Sequence, residues 1–119
     1  MDLVNLPHFD ELFEAFSRCA QSGWDGKGAC PIAVTTFATA RDFLASLPVA
    51  FPGPEVAPLE DGAIALDWFP KGDTTFSVWI YPDRKVAFAS VSGYGRMRGV
   101  AKFDHRVPDV ILDELRRLY

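Results

Sequence analysis

Cysteine and histidine are scarce in this sequence, which has two of each: Cys19, Cys30, His8 and His105. Two cysteines do not make the disulfide framework of a small secreted domain, so we expect two free thiols in a reducing cytosol. No two of these residues have the close spacing that structural zinc sites favour, and nothing in the sequence places a histidine base beside Cys30. We therefore expect no metal, no cofactor and no thiol chemistry.

Long apolar runs are also missing. No segment approaches the roughly 18 apolar residues of a membrane span, and the first fourteen residues contain acidic side chains but no lysine or arginine that would precede a signal segment. We therefore expect a cytoplasmic chain with no membrane partner. Its 119 residues, 49% hydrophobic and 24% charged, have the size and composition of one globular domain over residues 1–119.

The net charge of −4 is unevenly divided along the chain. Residues 1–70 contain ten acidic and three basic side chains, whereas residues 71–119 contain nine basic and six acidic ones. Such a division can orient a charged partner, although solvation of each element's outer face explains it more simply. The acidic total argues against binding of nucleic acid. It leaves open an acidic inhibitor that imitates nucleic acid with residues 1–70.

Apolar residues at spacings of three and four predict three amphipathic helices. The first runs from Phe9 towards Gly23, and the third begins at Pro108. The second follows Pro31, which we expect to set its start, with Thr35 or Thr36 as a further candidate cap.

Between the second and third helices the apolar period changes to two, which is typical of strands. Three strands are predicted at 63–69, 75–81 and 85–91, with shorter ones at 56–59 and 100–103. Tight turns rich in proline, glycine and aspartate separate them and favour an antiparallel meander. The sequence thus predicts a two-layer α+β fold with two N-terminal helices, four or five antiparallel strands and a C-terminal helix.

The segment Trp24 to Ile32 reads as a defined loop. Gly26 and Gly28 allow unusual backbone angles, Asp25 is suited to accept backbone hydrogen bonds, and Trp24 is a candidate core anchor. A glycine-rich loop before a helix also permits a small-molecule or nucleotide binder that uses Trp24 to Gly28. The spacing and the Gly-Lys-Ser/Thr ending of a P-loop are absent, so we interpret the loop, with Pro31, as structural.

Four residues in the second half are candidates for protein binding: Trp79, Tyr81, Arg96 and Arg98. Trp79 and Tyr81 alternate with apolar residues and so lie on the opposite strand face, where aromatic side chains can anchor an interface. They can equally lie under the proline-rich segment 48–58. Arg96 and Arg98 belong to a basic stretch that suits an acidic protein surface, or that simply solvates a sheet edge.

Carboxylates offer no clear catalytic pair. Glu60, Asp61 and Asp67 are close in sequence, but Asp61 suits a turn and Asp67 alternates with the apolar residues of its strand. We therefore predict that the protein is not an enzyme.

Several segments together resemble a group of small, uncharacterised bacterial proteins. They are Trp24-Asp25-Gly26 with Gly28-Ala29 and Pro31-Ile32, Phe43-Leu44 with Leu47-Pro48, Gly62 to Trp68, and Phe76-Ser77-Val78 with Pro82-Asp83. The sequence departs from the group at Lys27, where tyrosine is common, and at Arg84, where glycine is common. The resemblance implies an accessory protein of a mobile or two-gene locus. It favours an adaptor, an anti-CRISPR-like inhibitor or an antitoxin-like partner in phage defence or counter-defence. The partner would be another protein, from a neighbouring gene, and a homo-oligomer stays open.

Overall fold

The computed structural model describes residues 9–20, 23–92 and 95–119; His8 and Gly93 lie outside these ranges. It contains three helices and one five-stranded antiparallel sheet, which confirms the predicted α+β class. In chain order the elements are α1 (Phe9–Arg18), α2 (Val34–Ser46), β1 (Glu55–Pro58), β2 (Ile64–Trp68), β3 (Thr75–Ile80), β4 (Lys85–Ser92), β5 (Gly95–Lys102) and α3 (Asp109–Leu118).

The strands form a meander in which every strand pairs antiparallel with the next in sequence. Turns set this order, because a tight turn can only join antiparallel neighbours. Between β1 and β2 the turn closes through hydrogen bonds from Leu59 N–H to the Ala63 carbonyl and from Gly62 N–H to the Leu59 carbonyl. Gly62 has a φ of 89° there, a conformation that glycine adopts without strain.

One face of the sheet and the three helices enclose a single core. The sheet contributes alternate residues of its central strands, and the helices contribute the apolar stripes that the sequence predicted. Its buried members include Leu12, Phe43, Leu44, Ile64, Leu66, Trp68, Phe76, Val78, Ile80, Val86, Phe88, Phe103, Ile111 and Leu115. The core therefore takes up the even-numbered positions of β2, β3 and β4, so their odd-numbered positions form the opposite face.

The helix boundaries differ from the predicted ones. α1 ends at Arg18 rather than near Gly23, and α2 begins at Val34 with Ala33 as its cap and no side-chain cap. The predicted roles of Pro31 and of the threonine caps were therefore wrong. The reason is tertiary: Cys30 N–H donates to the Glu60 carbonyl and Ile32 N–H donates to the Cys19 carbonyl, which ties the non-helical residues 30–32 to other segments, and Ala33 is extended at a φ of −70° and a ψ of 149°.

The last strand is twice as long as predicted. The sequence placed it at 100–103, whereas β5 runs from Gly95 to Lys102 and pairs along its whole length with β4. Residues 95–99, Gly-Arg-Met-Arg-Gly, lack the alternating apolar pattern of a half-buried strand. Hydrogen bonds from β4 impose the strand conformation there.

The turn between β3 and β4 contains strained backbone. Asp83 and Arg84 have φ values of 65° and 61°, in the left-handed region that non-glycine residues rarely adopt. The Arg84 side chain has Nη2 3.8 Å from Asp42 Oδ2 on α2, and its guanidinium carbon lies 5.7 Å from the centre of the Phe103 ring. These contacts join the turn to α2 and to the end of the sheet while Arg84 keeps its left-handed conformation.

Replacing Arg84 with glycine should give a more stable protein than replacing it with alanine, by about 1 kcal/mol. Both variants lose the guanidinium contacts, and only glycine removes the strain at positive φ. Urea denaturation of the two variants measures the difference. Lys85, at a φ of −76°, is the matched control, and alanine should be the more stable replacement there. Equal stabilities at position 84 would show that the turn stores no strain.

Candidate functional site

The sheet face opposite the helices is the candidate site. Cross-strand register places Ala65, Trp79, Ala87 and Val100 in one row across this face. Asp67, Ser77, Ala89 and Arg98 form the adjacent row. The two rows therefore combine one tryptophan, several small residues and one arginine on a continuous surface.

A groove of about 540 Å³ runs beside Trp79 on this face. Its lining includes Ala87, Ala89, Arg98 and Val100. The groove exists because the large indole stands among alanines, whose methyl groups leave the space beside it unfilled. Val100 is 66% exposed, so the groove presents apolar surface that a partner can bury.

The indole of Trp79 itself is half-buried. Its register neighbour on β2, Ala65, is only 3% exposed although it lies on the open face. Trp79 lines the groove together with Ala87 and Ala89 of β4, so part of this half-buried residue is accessible from the groove. A half-buried tryptophan with one accessible side is a common anchor of protein interfaces, because its position is already restricted before binding.

Charge is separated across the open face. Glu55 and Asp67 are directly opposite each other on β1 and β2, and the Asp67 carboxylate accepts a hydrogen bond of 2.6 Å from the Ser77 hydroxyl. The other side of the face has the basic residues of β5, Arg96, Arg98 and Lys102. Among the residues that the structure describes, none of these three cations forms an ion pair.

The four residues predicted to bind a partner are not all close together. Trp79 and Arg98 line the same groove. Arg96 lies two residues from Arg98, opposite Val91, and also lines a separate cavity of about 250 Å³ next to Glu114 of α3. Tyr81 lies just past the end of β3, half-buried, with the Lys85 amino group 5.5 Å from its ring centre. The candidate site thus centres on Trp79 and Arg98, with Tyr81 at one end.

Sequence reasoning missed the small residues that shape the groove. Ala87 and Ala89 alternate with the buried Val86 and Phe88, so two alanines at the centre of the second face of a strand were the available signal. It did not show which large residue stands beside them. That neighbour, Trp79, is opposite Ala87 through the register of β3 and β4.

The Trp24 loop is closed by its own hydrogen bonds. Asp25 Oδ1 accepts from the backbone N–H groups of Lys27 at 2.7 Å and Ala29 at 3.1 Å. Gly26 and Gly28 have φ values of 76° and 84°. Amide groups that would hold a phosphate in a nucleotide-binding loop are therefore used by a carboxylate of the loop itself. This geometry does not favour the nucleotide-binding alternative.

Trp24 is half-buried and packs against the edge of the core. Its indole Nε1–H donates to the Cys30 carbonyl at 2.7 Å, so the side chain ties the two ends of the loop together. Pro31 is exposed in the non-helical segment that follows. The described contacts of Trp24 and Asp25 are thus within the loop and with the edge of the core, and none of the loop residues lines the groove beside Trp79.

The chemically reactive side chains are dispersed. Cys19 is buried, and this burial raises the pKa of its thiol, with a smaller opposing effect from Arg18; Cys30 is exposed. His105 is exposed beside Asp104, and Asp61 accepts a hydrogen bond from the Ala63 amide in a turn. Among the described residues, no three histidine, cysteine or carboxylate side chains form a group that could hold a metal ion.

Comparisons of the chain with protein-family models, with curated proteins and with solved structures found no match. In the described part of the chain, no helix is both long and apolar enough to cross a bilayer. Interpretation of the site therefore depends on its geometry and charge.

Proposed function

We propose that this chain is a non-enzymatic protein-binding domain that recognises an acidic partner with the open face of its sheet. The observation that carries the proposal is the groove beside Trp79, which joins accessible apolar surface to Arg98, whose guanidinium forms no ion pair with any residue that the structure describes. Tryptophan, tyrosine and arginine are enriched among the few residues that contribute most of the binding energy at protein interfaces.

Charge supports an acidic partner in particular. Arg96, Arg98 and Lys102 place three cations on one strand that contains no acidic residue. A partner carboxylate near this strand would gain a charge-assisted hydrogen bond without displacing an existing ion pair. From the resemblance of the sequence to accessory bacterial proteins, we propose that the partner is encoded by a neighbouring gene in a phage-defence, counter-defence or toxin–antitoxin locus.

Paired affinity purifications from the native cell test this proposal, with wild type compared against Trp79→Ala and Arg98→Glu. Truncation of an anchoring tryptophan costs about 2 kcal/mol or more, so we expect each variant to lower the affinity of the partner by about thirtyfold. The partner is the protein lost with both variants, identified by mass spectrometry, and its affinity is then measured with purified components by calorimetry.

Two matched variants serve as controls. Arg116→Glu makes the same change of charge on the exposed side of α3, and Phe13→Ala removes an exposed aromatic ring of α1. Both should keep the partner. If Trp79→Ala and Arg98→Glu retain every protein that the wild type retains, while circular dichroism shows both to be folded, the open face is not the binding surface.

A further inference from the structure

The two edge strands of the sheet, β1 and β5, differ in length and in how well they are protected from pairing with another strand. β1 is an edge strand of four residues that ends in Pro58 and packs against α1. β5 is an edge strand of eight residues, and in the described part of the chain it pairs with β4 alone. A short edge with proline is protected from further pairing, whereas a long free edge can accept another strand.

Hydrogen-bond alternation shows which residues of β5 face outward. Phe103 N–H donates to the Arg84 carbonyl at 2.8 Å, and this pair continues the register of Lys85 with Lys102. In an antiparallel ladder, hydrogen-bonded and non-hydrogen-bonded pairs alternate. The backbone N–H and C=O groups that point away from β4 are therefore those of Arg96, Arg98, Val100 and Lys102.

Strand alternation places the side chains of the same four residues on the open face, and Arg96, near the start of β5, also borders the cavity next to Glu114 of α3. An incoming strand that pairs with their backbone groups would place alternate side chains on that face too, about 5 Å away. Three of its side chains would meet cations, and one would meet Val100 at the mouth of the Trp79 groove. The edge and the groove therefore form one continuous surface.

We propose that the partner binds as a sixth strand, an extended acidic segment that pairs antiparallel with β5. This inference rests on the proposed function and specifies its binding mode. From N to C terminus the segment has an acidic residue opposite Lys102, an apolar residue opposite Val100, and acidic residues opposite Arg98 and Arg96. A second copy of this chain does not fit, because two β5 strands would bring arginines and lysines of both copies together.

A seven-residue synthetic peptide, Glu-Thr-Val-Thr-Glu-Thr-Glu, is the probe, with capped ends and a fluorescent label. We expect it to bind the purified protein at least about tenfold more tightly than the same peptide with lysine in place of glutamate. Arg98→Glu should weaken binding of the acidic peptide and strengthen binding of the basic one. Fluorescence anisotropy measures all four combinations.

Backbone pairing is tested with two N-methylated peptides of equal composition. Methylation at positions 3 and 5 blocks amides that face β5, so it should weaken binding by about tenfold or more. Methylation at positions 4 and 6 blocks amides that face away from β5, so the affinity should stay within about threefold of that of the unmethylated peptide. Amide exchange followed by NMR should slow at Arg96, Arg98, Val100 and Lys102 when the acidic peptide is added. Amides of Met97 and Gly99, which already bond to β4, are the internal controls.

Failures of the two proposals can be told apart. Binding that requires Arg98 but does not protect the four β5 amides overturns the added strand and leaves recognition by the open face standing. Absence of binding up to about 1 mM peptide overturns the added strand as well, and the purifications with Trp79→Ala and Arg98→Glu still decide the wider proposal. Protection of the same amides in the free protein, with a dimer in light scattering, would show that a second copy occupies the edge.

Discussion

Replacement of Trp68 with alanine is expected to lower the free energy of unfolding by about 4 kcal/mol. Trp68 is 1% exposed and is the largest fully buried side chain of the described residues. Its ring centre lies 5.7 Å from that of Phe76, and its Nε1–H donates to the Pro52 carbonyl at 2.9 Å. The variant would leave both a cavity and an unpaired carbonyl in the segment that leads to β1.

Urea denaturation followed by circular dichroism measures this loss. Trp68→Phe keeps much of the volume but removes the indole hydrogen bond, so it should cost about 2 kcal/mol. This variant tests the prediction if the alanine variant does not fold. Trp79→Ala is the matched control. Because Trp79 is half-buried on the open face, its replacement should cost about 1 kcal/mol. A loss under about 1 kcal/mol for Trp68→Ala would contradict the position of this residue in the core.

Replacement of Gly99 with valine is expected to destabilise the protein by about 3 kcal/mol. A Cβ at this position would lie 2.5 Å from Cζ of Phe88, its cross-strand partner, and 3.0 Å from Cε1. Phe88 is 5% exposed within the core cluster, so its ring has little free space into which it can move. Strand propensity alone predicts the opposite sign, since valine favours a strand more than glycine does.

A double-mutant cycle with Phe88→Leu separates these two effects. Gly99→Ala should be destabilising in the wild type and close to neutral when the shorter leucine replaces the ring, with a coupling free energy of about 1 to 2 kcal/mol. Chemical denaturation of the four proteins provides the values. If the cost of Gly99→Ala is the same in both backgrounds, the Phe88 ring does not occupy the space above Gly99.

The sequence predicted only part of the candidate site. Alternation in 75–81 correctly separated Trp79 from the buried Phe76, Val78 and Ile80. It did not reveal the groove, because a groove depends on which residues are neighbours across strands. Register alone brings Ala87 beside Trp79 and places Arg98 one row away.

Tertiary pairing also explains the wrong boundaries. Pro31, Thr35 and Thr36 have the chemistry of a helix start, yet residues 30–32 are non-helical and hydrogen-bond to Glu60 and Cys19. Residues 95–99 have weak strand propensity, yet pairing with β4 makes them a strand. In both places the backbone gains hydrogen bonds from a distant segment. Each such bond stabilises by about 1 kcal/mol, which is more than the few tenths of a kcal/mol by which local propensities differ.

By itself, the sequence determined the α+β class, the order of the elements, the hairpin turns and the two-sidedness of the strands. These properties depend on periods of 3.6 and 2 and on turn residues, which act over a few neighbouring residues. Tertiary structure decided the start of α2, the length of β5, the strained Arg84 turn and the groove beside Trp79. Each of these depends on contacts between residues far apart in the chain, whose energies no local pattern contains.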